Sequence, residues 1–224
     1  MKKTNLCLAA VFAALFVILL VFVRSADVAA IGPAGTSVGL SGLNHAVHER
    51  IGVDLRLYDV TQLLGYLAIA LALAFACVGL VQLICRRSLR RVDRPILALG
   101  GLYAALAVLY VFFEKVIVNF RPILMPGAAE PEASFPSSHT MLACVIFGSA
   151  AMLAGRYLRR VPLKRTLVVL CWLLAAATVI LRLASGVHWL TDIVAGALLS
   201  GALLSLYAAV SAAPNHDREE ERNA

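Results

Sequence analysis

The spacing of His188 and Asp192 is the feature of this sequence that most directly indicates chemistry. The two residues are four apart, so their side chains share one face if a helix begins near His188. A neighbouring carboxylate fixes the tautomer of an imidazole and stabilises its cation, which makes the other ring nitrogen a better nucleophile. The alternative is an interfacial belt anchored by Trp189, but such a belt does not explain Asp192. We therefore predict a histidine nucleophile at this position.

A second polar cluster, Ser-Phe-Pro-Ser-Ser-His-Thr at residues 134–140, directly precedes another apolar run. Serine and threonine cap helices well, and the free backbone N–H groups of a helix N-terminus bind anions. We expect Ser137, Ser138 and His139 to line such a terminus. A plain helix cap with a chance histidine is the alternative when this cluster is considered alone.

Three cations, Lys115, Arg121 and Arg182, are expected on the same side of the membrane as these two histidines. Pro122 disfavours helical geometry at Arg121, so the preceding helix should end there. Lys115 and Arg121 should then lie near the same opening of a binding site. Guanidinium groups bind phosphate oxygens through paired hydrogen bonds. The alternative is that these long basic side chains extend to the lipid headgroups. Three cations repel a metal ion and few carboxylates remain to bind one, so the pattern predicts a phosphate site without a metal.

The elements that must position these residues are membrane-spanning helices. The chain is 61% hydrophobic and 15% charged, against about half and a quarter in soluble domains. Its net charge of +7 does not indicate nucleic acid binding, because the basic residues lie in short loops between apolar runs. The six apolar runs are Leu6–Val23, Leu63–Ile84, Ile96–Phe113, Met141–Leu153, Leu167–Leu181 and Leu190–Val210. The fourth and fifth fall short of the about 20 residues that a span needs, so they must include polar flanks.

The predicted architecture is all-α: a polytopic membrane protein with six transmembrane helices in one domain at residues 1–213, and a polar cytoplasmic tail at 214–224. Fourteen of the 20 Lys and Arg residues lie before the first run, after the last, or in the second and fourth connections. The positive-inside rule then places both termini in the cytoplasm and the loops near 24–62, 114–140 and 182–190 outside. The first run is longer than a signal-peptide core and is interpreted as a retained anchor, which fits a bacterial inner membrane.

The first outer loop, near 24–62, is the longest of the three. Gly32, Pro33 and Gly35 break regular structure at its start. Apolar residues at near-helical spacing after them predict an amphipathic helix at the membrane surface. That helix contains His45 and His48, which are interpreted as parts of its polar face, with a metal-binding pair as the alternative.

Together the three polar clusters resemble the type 2 phosphatidic acid phosphatase superfamily, which includes lipid phosphate phosphatases and vanadium haloperoxidases. The family pattern is a Lys before Arg-Pro, then Pro-Ser-Gly-His, then Ser-Arg followed after five residues by His and after three more by Asp. The matching residues here are Arg121, Pro122, Pro136, Ser137, His139, Arg182, His188 and Asp192. Ser138 replaces the family's glycine, and Leu181 replaces its serine. Glu114 stands where the family has lysine, with Lys115 one position later.

The resemblance implies phosphate-binding roles for Arg121, Arg182, Lys115, Ser137 and Ser138. It implies that His188, oriented by Asp192, attacks phosphorus to form a phosphohistidine. His139 would protonate the leaving lipid oxygen, and water would then release phosphate at the extracytoplasmic face. No cofactor or metal is expected. The implied substrates are lipid phosphates such as phosphatidic acid, phosphatidylglycerol phosphate, undecaprenyl pyrophosphate or a lipid A phosphate.

Two other functions fit the same residues. A lipid phosphotransferase would pass the phosphoryl group from the histidine to an acceptor lipid instead of water. A non-catalytic protein that binds or transports lipid phosphates would keep a degenerate pocket, which the departures at Glu114 and Leu181 allow. The presence of both His139 and His188 disfavours that second alternative. The expected partners are the phosphorylated lipid and the surrounding membrane lipids, with no nucleic acid, and the sequence sets no oligomeric state.

Overall fold

The computed structural model describes residues 2–212, and seven α-helices lie within that range. They are α1 Lys2–Ser25, α2 Ser41–Ile51, α3 Leu55–Arg86, α4 Arg94–Lys115, α5 Ser138–Tyr157, α6 Val161–Ala184 and α7 Leu190–Ser211. Two short 3₁₀ turns, Pro33–Gly35 and Leu89–Arg91, lie in the connections before α2 and α4. The tail predicted at 214–224 lies outside the described residues.

Every helix except α2 is long and apolar enough to cross a membrane, so the protein is a multi-pass membrane protein. The prediction of an all-α fold with six transmembrane helices is confirmed. The two apolar runs that were short in the sequence become full spans, because α5 has 20 residues and α6 has 24. In α5 the extension begins at Ser137, whose side chain caps the helix by accepting the N–H of Thr140 at 3.4 Å.

The start of α3 differs most from the sequence-based bounds. The helix begins at Leu55, eight residues before the predicted Leu63, because the Asp54 carboxylate accepts the N–H groups of Arg56 at 2.8 Å and Leu57 at 3.4 Å. The first turns of α3 contain polar residues, so a search for apolar runs does not detect them. These additional turns add polar side chains to the end of the bundle where the histidines lie.

The helix α5 forms the centre of the bundle. About 61% of its apolar stretch is buried, against 6% for α3, although α5 has the lowest mean hydropathy of the six spans. It packs against α3, α4, α6 and α7, while α1 lies along α7. Outward-facing residues such as Leu63, Val108 and Ile180 are 64–67% exposed. Lipid tails are as apolar as these side chains, so such a surface suits a bilayer.

The alternating direction of the spans brings one set of helix ends together. The last residues of α1, α4 and α6 and the first residues of α3, α5 and α7 share one end of the bundle, which we call the site end. All three polar clusters of the sequence lie there. The helix α2 and the α4–α5 connection, residues 116–137, pack over this end and complete it.

Candidate active site

His188 and Asp192 lie side by side at the start of α7. The Nδ1 atom of His188 is 3.5 Å from Oδ2 of Asp192, and both side chains are buried. The same carboxylate oxygen accepts the backbone N–H of Trp189 at 2.9 Å, which holds the carboxylate in place. Among the described residues, neither ring nitrogen of His188 has a hydrogen-bond partner, and Nδ1 is the one that contacts the Asp192 carboxylate at 3.5 Å. Nε2 is therefore the candidate nucleophile.

Arg182, near the end of α6, is fully buried and lies within electrostatic range of His188. Its Nη1 donates to Oγ1 of Thr61 at 2.9 Å, and its guanidinium lies 4.7 Å from the centre of the Tyr58 ring. Both partners belong to the early turns of α3 that the sequence did not predict. The Nε and Nη2 atoms have no hydrogen-bond partner within residues 2–212. A buried cation with unused donors is costly unless an anion completes it.

Arg121 approaches from the α4–α5 connection, which folds back on itself. An isolated antiparallel bridge joins Phe120 to Ala133, and the N–H of Arg121 donates to the carbonyl of Glu132 at 2.9 Å. The Arg121 side chain is largely buried, with Nε 3.0 Å from Oε2 of the exposed Glu132. Its Nη1 has no hydrogen-bond partner in the described part of the chain. The indole of Trp189 donates to the carbonyl of Phe120 at 2.7 Å, which ties this connection to the His188 segment.

The N-terminus of α5 completes the cluster. Ser137 is buried, and its backbone N–H donates to the carbonyl of Asp192 at 3.0 Å, so the starts of α5 and α7 are in direct contact. A Cβ at Gly196 would lie 3.0 Å from the carbonyl oxygen of Ser137, so glycine permits this approach. His139 follows in the first turn of α5, half-buried, with Nδ1 unpartnered among the described residues.

The electrostatic setting of His188 favours its neutral form. Burial lowers the pKa of His188 well below its usual value of 6.5, and the nearby guanidinium groups of Arg182 and Arg121 lower it further. The imidazole is then unprotonated at neutral pH, with its lone pair available. Both arginines also lie within electrostatic range of His139, so the two cations and two histidines form one cluster.

Lys115 does not join this cluster. It is the exposed last residue of α4. A small cavity between α4 and the segment 133–138 is lined by His188, Ser138 and Glu114, but not by Lys115. The phosphate contact of Lys115 stays a prediction, and a carboxylate occupies the nearer position.

An apolar cavity leads from the site to the side of the bundle. It has a volume of about 590 Å³ and lies between α3, α4 and α5, with Ser138 and His139 at its polar end. Its walls include Tyr66 and Leu73, which are exposed, so the cavity opens on the surface that faces lipid. We call it the site groove. A Cβ at Gly65 would lie 3.2 Å from the His139 ring, so this glycine lets α3 pass close to that side chain.

Asn44 of α2 is a supporting residue that the sequence did not reveal. It is fully buried, accepts the N–H of Thr191 at 3.2 Å, and donates to Oγ1 of Thr191 at 3.0 Å and to the carbonyl of Gly39 at 2.9 Å. One side chain thus holds the first turn of α7, which carries Asp192, against the first outer loop. The partners are 147 residues apart in the chain, so no local pattern signals them.

Replacing Asn44 with alanine should lower both thermal stability and turnover. Unpaired buried groups at Thr191 and Gly39 cost about 1–3 kcal/mol, and displacement of the α7 start should lower kcat by about tenfold with little change in KM. The measurement is thermal unfolding and steady-state kinetics of the purified protein. Glu49→Ala, an exposed change on the same helix, is the control. A normal kcat in the folded fraction would show that Asn44 serves stability alone.

The two histidines of α2 make different contacts. His45 lies 3.2 Å from the Glu49 carboxylate, whereas the His48 ring packs edge-on against Trp189 with ring centres 5.4 Å apart. Within residues 2–212, no group of three His, Cys, Asp or Glu side chains is arranged to hold a metal ion. His48 instead contributes to the wall behind the His188 segment.

Comparison with known proteins gives one family match and one fold match. Residues 113–215 match the family model of the PAP2 superfamily. No curated protein sequence matches the chain. The crystal structure of the first transmembrane PAP2 type phosphatidylglycerolphosphate phosphatase from Bacillus subtilis superposes with a TM-score of 0.63. The match covers 97% of this chain and 98% of the other at 19% sequence identity, so the two share a fold.

Proposed function

Since residues 113–215 match the family model of the PAP2 superfamily, we propose that this protein is a lipid phosphate phosphatase that works through a phosphohistidine on His188. The observation that carries the proposal is the set of unused donors on the buried guanidinium groups of Arg121 and Arg182. They lie beside a neutral imidazole that is free at Nε2. A phosphate dianion satisfies both cations and presents phosphorus to that nitrogen.

The first step is an in-line displacement at phosphorus. Nε2 of His188 forms the new P–N bond while the bond from phosphorus to the lipid oxygen breaks and its electron pair stays on that oxygen. His139 supplies the proton that the leaving oxygen needs. The imidazole becomes positively charged as it is phosphorylated, and the Asp192 carboxylate at 3.5 Å stabilises that charge.

The second step returns the enzyme to its starting state. Water enters where the lipid oxygen left, and His139, now unprotonated, accepts a proton from it. The water oxygen bonds to phosphorus, the P–N bond breaks, and inorganic phosphate leaves. Arg121, Arg182 and the N–H groups at the start of α5 bind the phosphoryl oxygens in both steps. The charges of the protein perform the role that a metal ion has in other phosphatases.

The site groove indicates that the substrate is a lipid. It begins at Ser138 and His139, where the leaving oxygen would lie, and its walls between α3 and α4 are mainly apolar. A hydrocarbon chain attached to the phosphate can lie in it and pass sideways into the bilayer. The asymmetry of Lys and Arg supports an extracytoplasmic position for this end of the bundle. We therefore propose hydrolysis at the extracytoplasmic face of a bacterial inner membrane.

Purified protein in detergent should release inorganic phosphate from at least one lipid of a panel of lipid monophosphates and diphosphates. Orthovanadate should inhibit the release, and a chelator such as EDTA should not. At 100 times its Kd, vanadate should add about 2.7 kcal/mol to stability. Recovery of the phosphate on an acceptor lipid would show a phosphotransferase. Failure to release phosphate from any lipid, with no stabilisation by vanadate, would contradict the proposal.

A further inference from the structure

Glu132 gives the guanidinium of Arg121 an anionic partner within the protein. Oε2 of Glu132 lies 3.0 Å from Nε of Arg121. The Glu132 carboxylate also lies within electrostatic range of Arg182. It is therefore attracted by the same two cations that bind the phosphate in the proposed reaction, and it competes with any other anion for Arg121.

The backbone keeps this carboxylate close to Arg121. The N–H of Arg121 donates to the carbonyl of Glu132 at 2.9 Å, and the neighbouring residues Phe120 and Ala133 form an antiparallel bridge. The Glu132 side chain is nevertheless 46% exposed, against 11% for that of Arg121. The carboxylate can thus turn towards water and return without a movement of the connection. A tethered group competes as if it were present at a high local concentration.

Inorganic phosphate is the ligand that two buried guanidinium groups would release slowly. It is held by charge-assisted hydrogen bonds, and it keeps these contacts after the lipid part of the substrate has left. Contacts that the substrate, the transition state and the product share do not raise kcat. They slow the departure of the product, and product release limits kcat in many enzymes. A site with Arg121 and Arg182 alone would therefore retain its product.

Resting on the proposed function, we propose that Glu132 promotes the release of inorganic phosphate. Its carboxylate repels the bound dianion and takes the place of the phosphate oxygens at Nε of Arg121 as the product leaves. The headgroup of the substrate is weakened in the same way. Substrate binding withstands this loss because the hydrocarbon part packs in the site groove, whereas inorganic phosphate has no such contacts.

Glu132→Gln tests this role, because the amide keeps the size of the side chain and removes its charge. The variant should bind inorganic phosphate about fivefold more tightly, which is the scale of a half-exposed ion pair. Calorimetric titration of the purified protein and product inhibition of lipid hydrolysis give this affinity. The kcat and KM for the lipid that wild-type protein hydrolyses best should both fall, since release becomes slower and headgroup binding becomes tighter. Glu132→Ala repeats the test if the glutamine variant is not recovered.

The matched control is Glu130→Gln, an exposed change two residues earlier in the same connection. It should leave the affinity for phosphate, kcat and KM unchanged. A rapid denaturing quench with labelled substrate separates release from chemistry. In Glu132→Gln the phosphohistidine should form and decay at wild-type rates in the first turnover, and only the later turnovers should be slowed.

Three results would overturn the proposal. Weaker binding of inorganic phosphate with a higher KM in Glu132→Gln would mean that the carboxylate only orients Arg121 for its ligand. An unchanged affinity for phosphate would mean that the carboxylate does not compete. Tighter binding with an unchanged kcat would mean that release does not depend on Glu132. If wild-type protein hydrolyses no lipid phosphate, the phosphatase function itself fails, and the phosphate affinities of the two proteins still test the competition at Arg121.

Discussion

His188→Ala should lower lipid phosphate hydrolysis by about 10⁴-fold or more, because no other group can form the phosphoryl intermediate. Of the two histidines in the site, His188 is the one whose ring lies beside a carboxylate, with Nδ1 3.5 Å from Oδ2 of Asp192. Phosphate release from the lipid that wild-type protein hydrolyses best is the measurement. Denaturing quench with labelled substrate should trap an acid-labile phosphoprotein in the wild type and none in the variant.

The control for this prediction is His45→Ala. His45 is exposed on α2 and pairs with Glu49, so its loss should leave hydrolysis within about twofold of wild type. Both variants should unfold at temperatures close to that of the wild type, which separates loss of chemistry from loss of fold. Turnover of His188→Ala within tenfold of the wild-type rate would exclude the phosphohistidine route.

Arg182→Ala should lower kcat/KM by about 10²–10³-fold, since hydrogen bonds to a charged group contribute about 1.5–3 kcal/mol each and two donors of Arg182, Nε and Nη2, are unpartnered among the described residues. Arg182→Lys should recover little of this loss. A lysine keeps the charge but lacks the planar fork, and it cannot reproduce the bond to Thr61 together with two phosphate contacts. Kinetics on the preferred lipid and vanadate affinity give the two readouts.

The matched control is Arg165→Ala, an exposed arginine near the opposite end of the same helix. It should leave kcat/KM and vanadate affinity unchanged. In the absence of any anion, Arg182→Ala should not lower the unfolding temperature much, because it removes a buried charge that lacks a full set of partners. Vanadate should then stabilise wild-type protein and fail to stabilise the variant. Equal stabilisation of both would show that Arg182 does not bind the anion.

The sequence was sufficient for the features that depend on neighbouring residues. Six spans follow from runs of apolar residues, because a membrane requires about 20 of them in succession. The contact between His188 and Asp192 was predicted from their four-residue spacing, and it forms although α7 begins only at Leu190, so that His188 precedes the helix. The cap at Ser137 follows from its position before an apolar run. The shared end of the bundle follows from the alternation of the spans, which is a consequence of their number.

Tertiary structure alone decided which distant residues support that site. Thr61 lies 121 residues from Arg182, Phe120 lies 69 residues from Trp189, and Asn44 lies 147 residues from Thr191. Such hydrogen bonds depend on how distant segments pack against each other. The sequence around either partner has no pattern that would indicate the bond. The same holds for the site groove between α3, α4 and α5, because its shape depends on how the surfaces of three helices pack.

Lys115 shows where prediction from the sequence ends and where the tertiary structure is needed. Spacing alone placed a cation one residue from the position that the family pattern requires, and a helix turns by about 100° at each residue. That rotation leaves Lys115 exposed and places Glu114 on the cavity beside His188. The residue types of the candidate site were therefore readable from the sequence. Which of them lie together in the buried cluster was decided by the rotation of each helix against its neighbours.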